Sequence, residues 1–119
     1  MSKNKKRNFN ERMQALHEKY SQQLPAKYYE IEECWNKYQA DLSNPDSIET
    51  FYRLIHTLKG TAATFGFAKQ ADLCFEVQNL LSSIIEDFSV LPENSVTQIQ
   101  QLLSELKTHI DTPAENISE

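Results

Sequence analysis

The chain has 119 residues and carries 12 basic and 17 acidic side chains, which gives a formal net charge of −5. This length indicates one domain with a modest core. Two glycines and four prolines are too few for the many tight turns of an all-β protein, so the composition predicts a single all-α domain.

The charge is unevenly distributed, because four of the twelve basic residues lie in the first eight positions. Without those four, eight basic residues remain against 17 acidic ones, a net charge of −9. Such an acidic body is a poor match for a phosphate backbone, so we expect no nucleic-acid binding. No apolar run approaches the roughly 20 residues of a membrane span, and we expect a cytoplasmic protein without membrane contact.

Apolar residues at intervals of three and four predict five helices in succession. Pro25 is expected to end the first, short helix near Leu24, and a second helix follows at once. The predicted helices cover about residues 9–24, 26–42, 46–66, 68–88 and 95–110. Short connections between them predict an antiparallel four-helix bundle with a short extra N-terminal helix.

This pattern divides the chain into three parts. We predict a disordered basic tail over residues 1–8, a bundle domain over residues 9–110 and a disordered tail over residues 111–119. Cys34 and Cys74 stand apart from any second cysteine or histidine at metal-ligand spacing, so they are expected to be free thiols.

The stretch HTLKGTAATFG, residues 56–66, places both glycines of the chain beside one of its three histidines. At about 100° per residue, the apolar stripe of this helix points roughly 140° away from His56, which therefore faces outward. Gly60 and Ala63 lie on the same outward sector, so small side chains surround the imidazole. Gly66 suits the left-handed conformation that ends helices.

A polar partner for His56 is predicted on the next helix. Gln78 interrupts an apolar stripe there, and a buried amide needs a hydrogen-bond partner. If the two helices fold back on each other at Gly66, His56 and Gln78 come level. An amide bonded to one ring nitrogen would leave the other free as a nucleophile, and Lys59 could neutralise an anionic group arriving on it.

The sequence from His56 to Ala63, followed by Phe65-Gly66-Phe67, closely resembles the signature of histidine-containing phosphotransfer (Hpt) domains. The resemblance implies that His56 accepts a phosphoryl group from a receiver-domain aspartate and passes it to another receiver in a two-component phosphorelay. It also implies that Lys59 balances the phosphate charge, that Gly60 gives the receiver access, and that Gln78 orients the imidazole.

The resemblance further implies a phosphocarrier rather than an enzyme with kinase activity of its own. The expected partners are the receiver domains of hybrid sensor kinases and of response regulators, with the chain acting as a monomer. No cofactor is expected on this chain, since Mg²⁺ would be held by the receiver. Candidate contacts to that partner are Tyr52, Ala63, Phe67 and Lys69.

Three other interpretations compete with this one. A binding or regulatory bundle in which His56 never carries phosphate predicts the same fold. A di-iron bundle requires Glu-x-x-His on two helices, and no glutamate here has a histidine three residues on. A histidine-kinase dimerisation domain usually has a proline soon after its histidine, whereas none occurs between Pro45 and Pro92.

Overall fold

The computed structural model describes residues 2–42, 44–87 and 90–111. These residues form four helices, α1 (Ser2–Ala40), α2 (Pro45–Thr64), α3 (Ala68–Asp87) and α4 (Glu93–Asp111). Consecutive helices pack against each other and α4 closes back on α1, so the four form a ring around one core. Short connections make neighbours antiparallel. The predicted all-α bundle is confirmed.

The predicted break at Pro25 is wrong, because α1 continues through it as a single helix of 39 residues. The segment expected as an extra N-terminal helix is therefore the first part of α1. Pro25 is exposed, whereas Leu24 and Tyr28 on either side of it are buried. Packing of the apolar stripe on both sides of the proline outweighs the one backbone hydrogen bond that proline cannot make.

The predicted boundaries of the two tails can be compared with the ends of α1 and α4. Residues 2–8 belong to α1 rather than to a disordered tail, and no proline or glycine precedes Pro25 to stop a helix there. At the other end Asp111 is the last residue of α4. Met1 and residues 112–119 lie outside the described residues.

Large aromatic side chains fill the core where the helices meet. Trp35 of α1 packs its ring 5.1 Å from that of Phe51 of α2, centroid to centroid. Two hydrogen bonds tie α1 to α4, from the Tyr28 hydroxyl to the Leu103 carbonyl at 3.1 Å and from the Trp35 indole to Gln100 Oε1 at 2.8 Å. The buried residues of α2, Phe51 among them, face this core, so the opposite side of α2 faces out.

The turn between α2 and α3 sets the register of the functional site. Gly66 has φ +82°, the left-handed conformation that the sequence predicts. The Phe67 amide donates to the Ala62 carbonyl at 2.8 Å and the Gly66 amide to the Ala63 carbonyl at 3.3 Å. This pair of bonds is a Schellman motif, which ends α2 and turns the chain directly into α3.

Candidate functional site

His56 lies near the middle of α2 on its outer side. Its neighbour Ile55 is fully buried, while the imidazole is exposed, as the helical wheel predicts. The asymmetry follows from the apolar stripe, since the buried residues of α2 recur at helical spacing on the opposite side. The histidine is thus held by a rigid helix and open to a partner.

The imidazole of His56 is hydrogen bonded across the α2–α3 interface. Its Nδ1 lies 3.2 Å from Oε1 of Gln78, which is half-buried. An amide oxygen can only accept, so Nδ1 carries the proton and donates it. The neutral imidazole then has its lone pair on Nε2, and this nitrogen can act as a nucleophile.

Two side chains of α2 lie one turn to either side of the histidine. The Tyr52 ring is nearly parallel to the imidazole, with an interplanar angle of 6° and a centroid separation of 6.3 Å. On the other side, Lys59 Nζ lies 5.5 Å from the centroid of the Phe75 ring on α3. This cation–π contact holds the ammonium group at the α2–α3 interface.

A surface depression opens beside the imidazole. Its lining comes from the α2 residues Glu49, Tyr52, Arg53 and His56 and from Ile85 of α3. The depression therefore presents the imidazole together with a cation and an anion of the same helix. Of these residues, only Tyr52 and His56 are predicted from the sequence to be site residues.

Gly60 leaves open space on the outer side of α2. A Cβ atom built there would have no other heavy atom within 4 Å, and Ala63 one turn on is exposed. No close approach of a neighbouring helix within the described chain therefore requires this glycine. Since glycine costs about 1 kcal/mol relative to alanine inside a helix, neither helix propensity nor packing within the described residues accounts for Gly60.

Three of the four predicted contact residues are accessible, and one is not. Ala63 and Lys69 are exposed and Tyr52 is half-buried. Phe67 is fully buried, so its side chain offers no surface to a partner. The Schellman turn directs it inward, where its ring stacks on that of His17 at a centroid distance of 4.5 Å.

Two residues of the site, Arg53 beside His56 and Phe75 under the Lys59 ammonium group, are absent from the sequence prediction although a signal for each exists. Arg53 precedes the histidine by three positions, the spacing that places side chains on one helix face. Phe75 precedes Gln78 by the same spacing on α3, and it is exposed despite its large apolar ring. The charge of Arg53 and the exposed aromatic ring of Phe75, each at helical spacing from a predicted site residue, are the signals that would have identified them.

Cys74 lies behind the site and does not belong to its chemistry. The residue is fully buried, and burial raises the pKa of its thiol to about 12, while the nearby Lys59 acts in the opposite direction. A thiol of that pKa is protonated and unreactive at neutral pH. Cys34 and Cys74 are both free, as the sequence predicts.

Among the described residues, no group of three or more histidine, cysteine or acidic side chains is placed to hold a metal ion. None of the described helices is both long and apolar enough to cross a membrane.

The chain resembles known proteins over most of its length. The family model of the Hpt domain matches residues 7–111. The chemotaxis protein CheA of Listeria monocytogenes is 31% identical over 72 residues, which is 60% of this chain, and the CheA protein of Listeria innocua matches equally well. The match covers only 12% of the length of each of these relatives.

The signature around His56, the helical bundle and the family match over residues 7–111 agree with one another. The chain belongs to the Hpt domain family, the phosphocarrier modules of two-component signalling.

Proposed function

We propose that His56 accepts a phosphoryl group from the aspartyl phosphate of one receiver domain and transfers it to the aspartate of another. The hydrogen bond between His56 Nδ1 and Gln78 Oε1 carries this proposal, because it leaves the lone pair of an exposed imidazole on Nε2. A side chain so oriented has its nucleophile available before a partner arrives.

In the first transfer, the Nε2 lone pair attacks the phosphorus atom of the aspartyl phosphate. A phosphorus–nitrogen bond forms, the bond from phosphorus to the aspartate oxygen breaks, and the carboxylate leaves with the bonding electrons. The imidazole keeps its Nδ1 proton, and Gln78 stabilises the positive charge that develops on the ring by accepting from Nδ1–H. Transfer to the second receiver reverses these steps.

Lys59 and Gly60 serve the same step in different ways. Lys59 supplies a positive charge for the phosphoryl oxygens, and its contact with Phe75 restricts where that charge lies. Gly60 removes side-chain bulk on the outward face, so that the receiver can bring its aspartate within bonding distance of His56.

The receiver is proposed to dock on the outer surface of α2, where Tyr52 and Ala63 lie on the same side as His56, with Lys69 on α3 at its edge. The chain works as a monomeric carrier in this proposal. It has no kinase activity of its own and needs no bound cofactor, because the receiver brings the Mg²⁺ that phosphoryl transfer requires.

Transfer from a phosphorylated receiver tests this function. The wild-type chain is expected to acquire acid-labile phosphate, and His56→Gln is expected to acquire none. His17→Gln and His109→Gln are the matched controls and should retain the label. If no receiver of the source organism labels the wild-type chain, a binding module that never carries phosphate becomes the better account.

The docking surface has a test of its own. Tyr52→Asp and Ala63→Glu are expected to weaken receiver binding, measured by calorimetry with the helical content checked by circular dichroism. The matched control is Gln22→Glu, which adds the same charge on an exposed part of α1 and should leave binding unchanged. Unchanged affinity in both surface variants would remove this face from the interface.

A further inference from the structure

We propose that Arg53 is a second phosphoryl-binding residue, whose guanidinium group closes on the phosphoryl oxygens of phosphorylated His56 from the side opposite Lys59. This inference rests on the function proposed above. It assigns a role to a residue that the signature around His56 does not include.

The position of Arg53 on α2 mirrors that of Lys59 about the histidine. Arg53 lies three residues before His56 and Lys59 three residues after it. At about 100° per residue, these two positions lie roughly 60° to either side of the histidine and one turn before and after it. A phosphoryl group on Nε2 would therefore have one cation on each side.

The surface around the imidazole includes Arg53. Arg53 and His56 line the same depression, together with Glu49, whereas the ammonium group of Lys59 lies over the Phe75 ring on α3. Arg53 is exposed and its long side chain can reorient without disturbing the core. The two cations thus reach the phosphoryl position from different sides and do not compete for space.

The charge of a phosphoryl group on His56 exceeds what one lysine can balance. A phosphoryl group carries about 1.5 to 2 negative charges at pH 7, so one lysine leaves part of that charge uncompensated. The protein already has a net charge of −5, and Glu49 adds a negative charge in the same depression. A guanidinium group fits this need, because its planar fork can donate two parallel hydrogen bonds to phosphoryl oxygens.

Glu49 offers Arg53 an alternative partner in the unphosphorylated protein. A glutamate four residues before an arginine is the favourable orientation for an ion pair on a helix. Such an exposed pair is weak. The more highly charged phosphoryl group can therefore compete with Glu49 for the guanidinium group.

A receiver-free experiment tests this assignment. The full chain is phosphorylated with phosphoramidate, and the second ionisation of the phosphohistidine is followed by ³¹P NMR over a pH titration, with His56→Gln identifying the signal. We compare wild type with Arg53→Gln, with Arg53→Lys, and with Arg12→Gln, which removes the same charge at an exposed position of α1.

Loss of Arg53 is expected to raise the second pKa of the phosphoryl group by roughly 0.5 to 1 pH unit, because a cation at hydrogen-bond distance favours the dianion. Arg53→Lys should restore part of the shift, and Arg12→Gln should cause none. Equal titration curves for wild type and Arg53→Gln, or equal shifts in Arg53→Gln and Arg12→Gln, would overturn the assignment.

Two further outcomes separate this inference from the proposed function. If Arg53→Gln leaves the ³¹P titration unchanged but slows transfer from a receiver, Arg53 contacts the receiver and the assignment is wrong. If phosphoramidate labels His56 but no receiver does, the carrier function fails while the titration still decides the role of Arg53. Failure of phosphoramidate to label His56 would overturn both the carrier function and the assignment of Arg53.

Discussion

Gln78 Oε1 accepts a hydrogen bond from His56 Nδ1 at 3.2 Å, across the interface between α2 and α3. The two residues are 22 positions apart, and the turn at Gly66 brings them level. The contact determines which ring nitrogen carries the proton. It therefore connects the geometry of a helix end to the nucleophilicity of a side chain about three turns away.

Replacement of Gln78 tests that connection. Gln78→Leu is expected to slow phosphotransfer to His56 about tenfold, because a hydrogen bond of about 1.4 kcal/mol corresponds to one factor of ten in rate. Gln78→Glu keeps an acceptor at the same place and should stay near the wild-type rate. The measurement is single-turnover transfer from a phosphorylated receiver. A wild-type rate in Gln78→Leu would show that the contact does not orient the imidazole.

The two glycines allow a matched test of stability. A Cβ atom meets open space at both positions, so Gly60→Ala and Gly66→Ala differ mainly in backbone conformation. Gly60→Ala should stabilise the protein by about 1 kcal/mol through helix propensity. Gly66→Ala should destabilise it by roughly 1 to 2 kcal/mol, because Gly66 has φ +82°. Urea unfolding measures both, and equal effects would contradict the assigned roles.

The outward face of Gly60 has a functional test. Gly60→Gln is expected to block transfer from a receiver while stabilising the protein by roughly 0.5 to 1 kcal/mol, since glutamine is a good helix former and its side chain enters solvent-exposed space. Gly60→Ala, with its single methyl group, should retain much of the transfer. Full transfer in Gly60→Gln would show that the receiver does not approach over this residue.

Much of the site follows from the sequence because it depends on local rules. Helical periodicity places His56 outside the core, and Gly66 has a positive φ at the position where a helix-ending glycine is expected. Once the position of the turn is known, the number of residues on either side of it places Gln78 and His56 at the same height along the two helices. These steps require only helix geometry and the position of one turn.

The features that the sequence does not predict depend on tertiary packing. Sequence rules predict that Pro25 ends a helix, but buried neighbours on both sides keep α1 continuous. Phe67 follows the helix end, so a helical wheel cannot assign its direction, and the Schellman turn points it into the core. The place of Ile85 beside His56 becomes visible only when the depression itself is seen.

The hydrogen bond from the Tyr28 hydroxyl to the Leu103 carbonyl is expected to be lost at alkaline pH, and with it part of the stability of the fold. Burial, with the nearby Glu32, raises the pKa of Tyr28 from its ordinary value of 10 to about 12. The folded state therefore favours the protonated hydroxyl that donates to the Leu103 carbonyl. Its stabilising contribution is complete below pH 10 and is lost as the pH rises toward about 12.

Tyr28→Phe is the variant that isolates this effect. At neutral pH it should cost about 1 kcal/mol, the value of one hydrogen bond. Between about pH 9 and about pH 11.5 its stability should fall less steeply than that of wild type, as measured by urea unfolding at each pH. Parallel pH profiles for the two proteins would show that Tyr28 does not contribute to the alkaline transition.

The position of the phosphoryl group on the imidazole tests the central claim most directly. The chain is labelled with ¹⁵N-histidine, phosphorylated by a receiver and examined for phosphorus–nitrogen coupling by NMR. We predict coupling to Nε2 of His56 and to no other histidine nitrogen, because Nδ1–H donates to Gln78. Coupling to Nδ1, or to His17 or His109, would contradict the account.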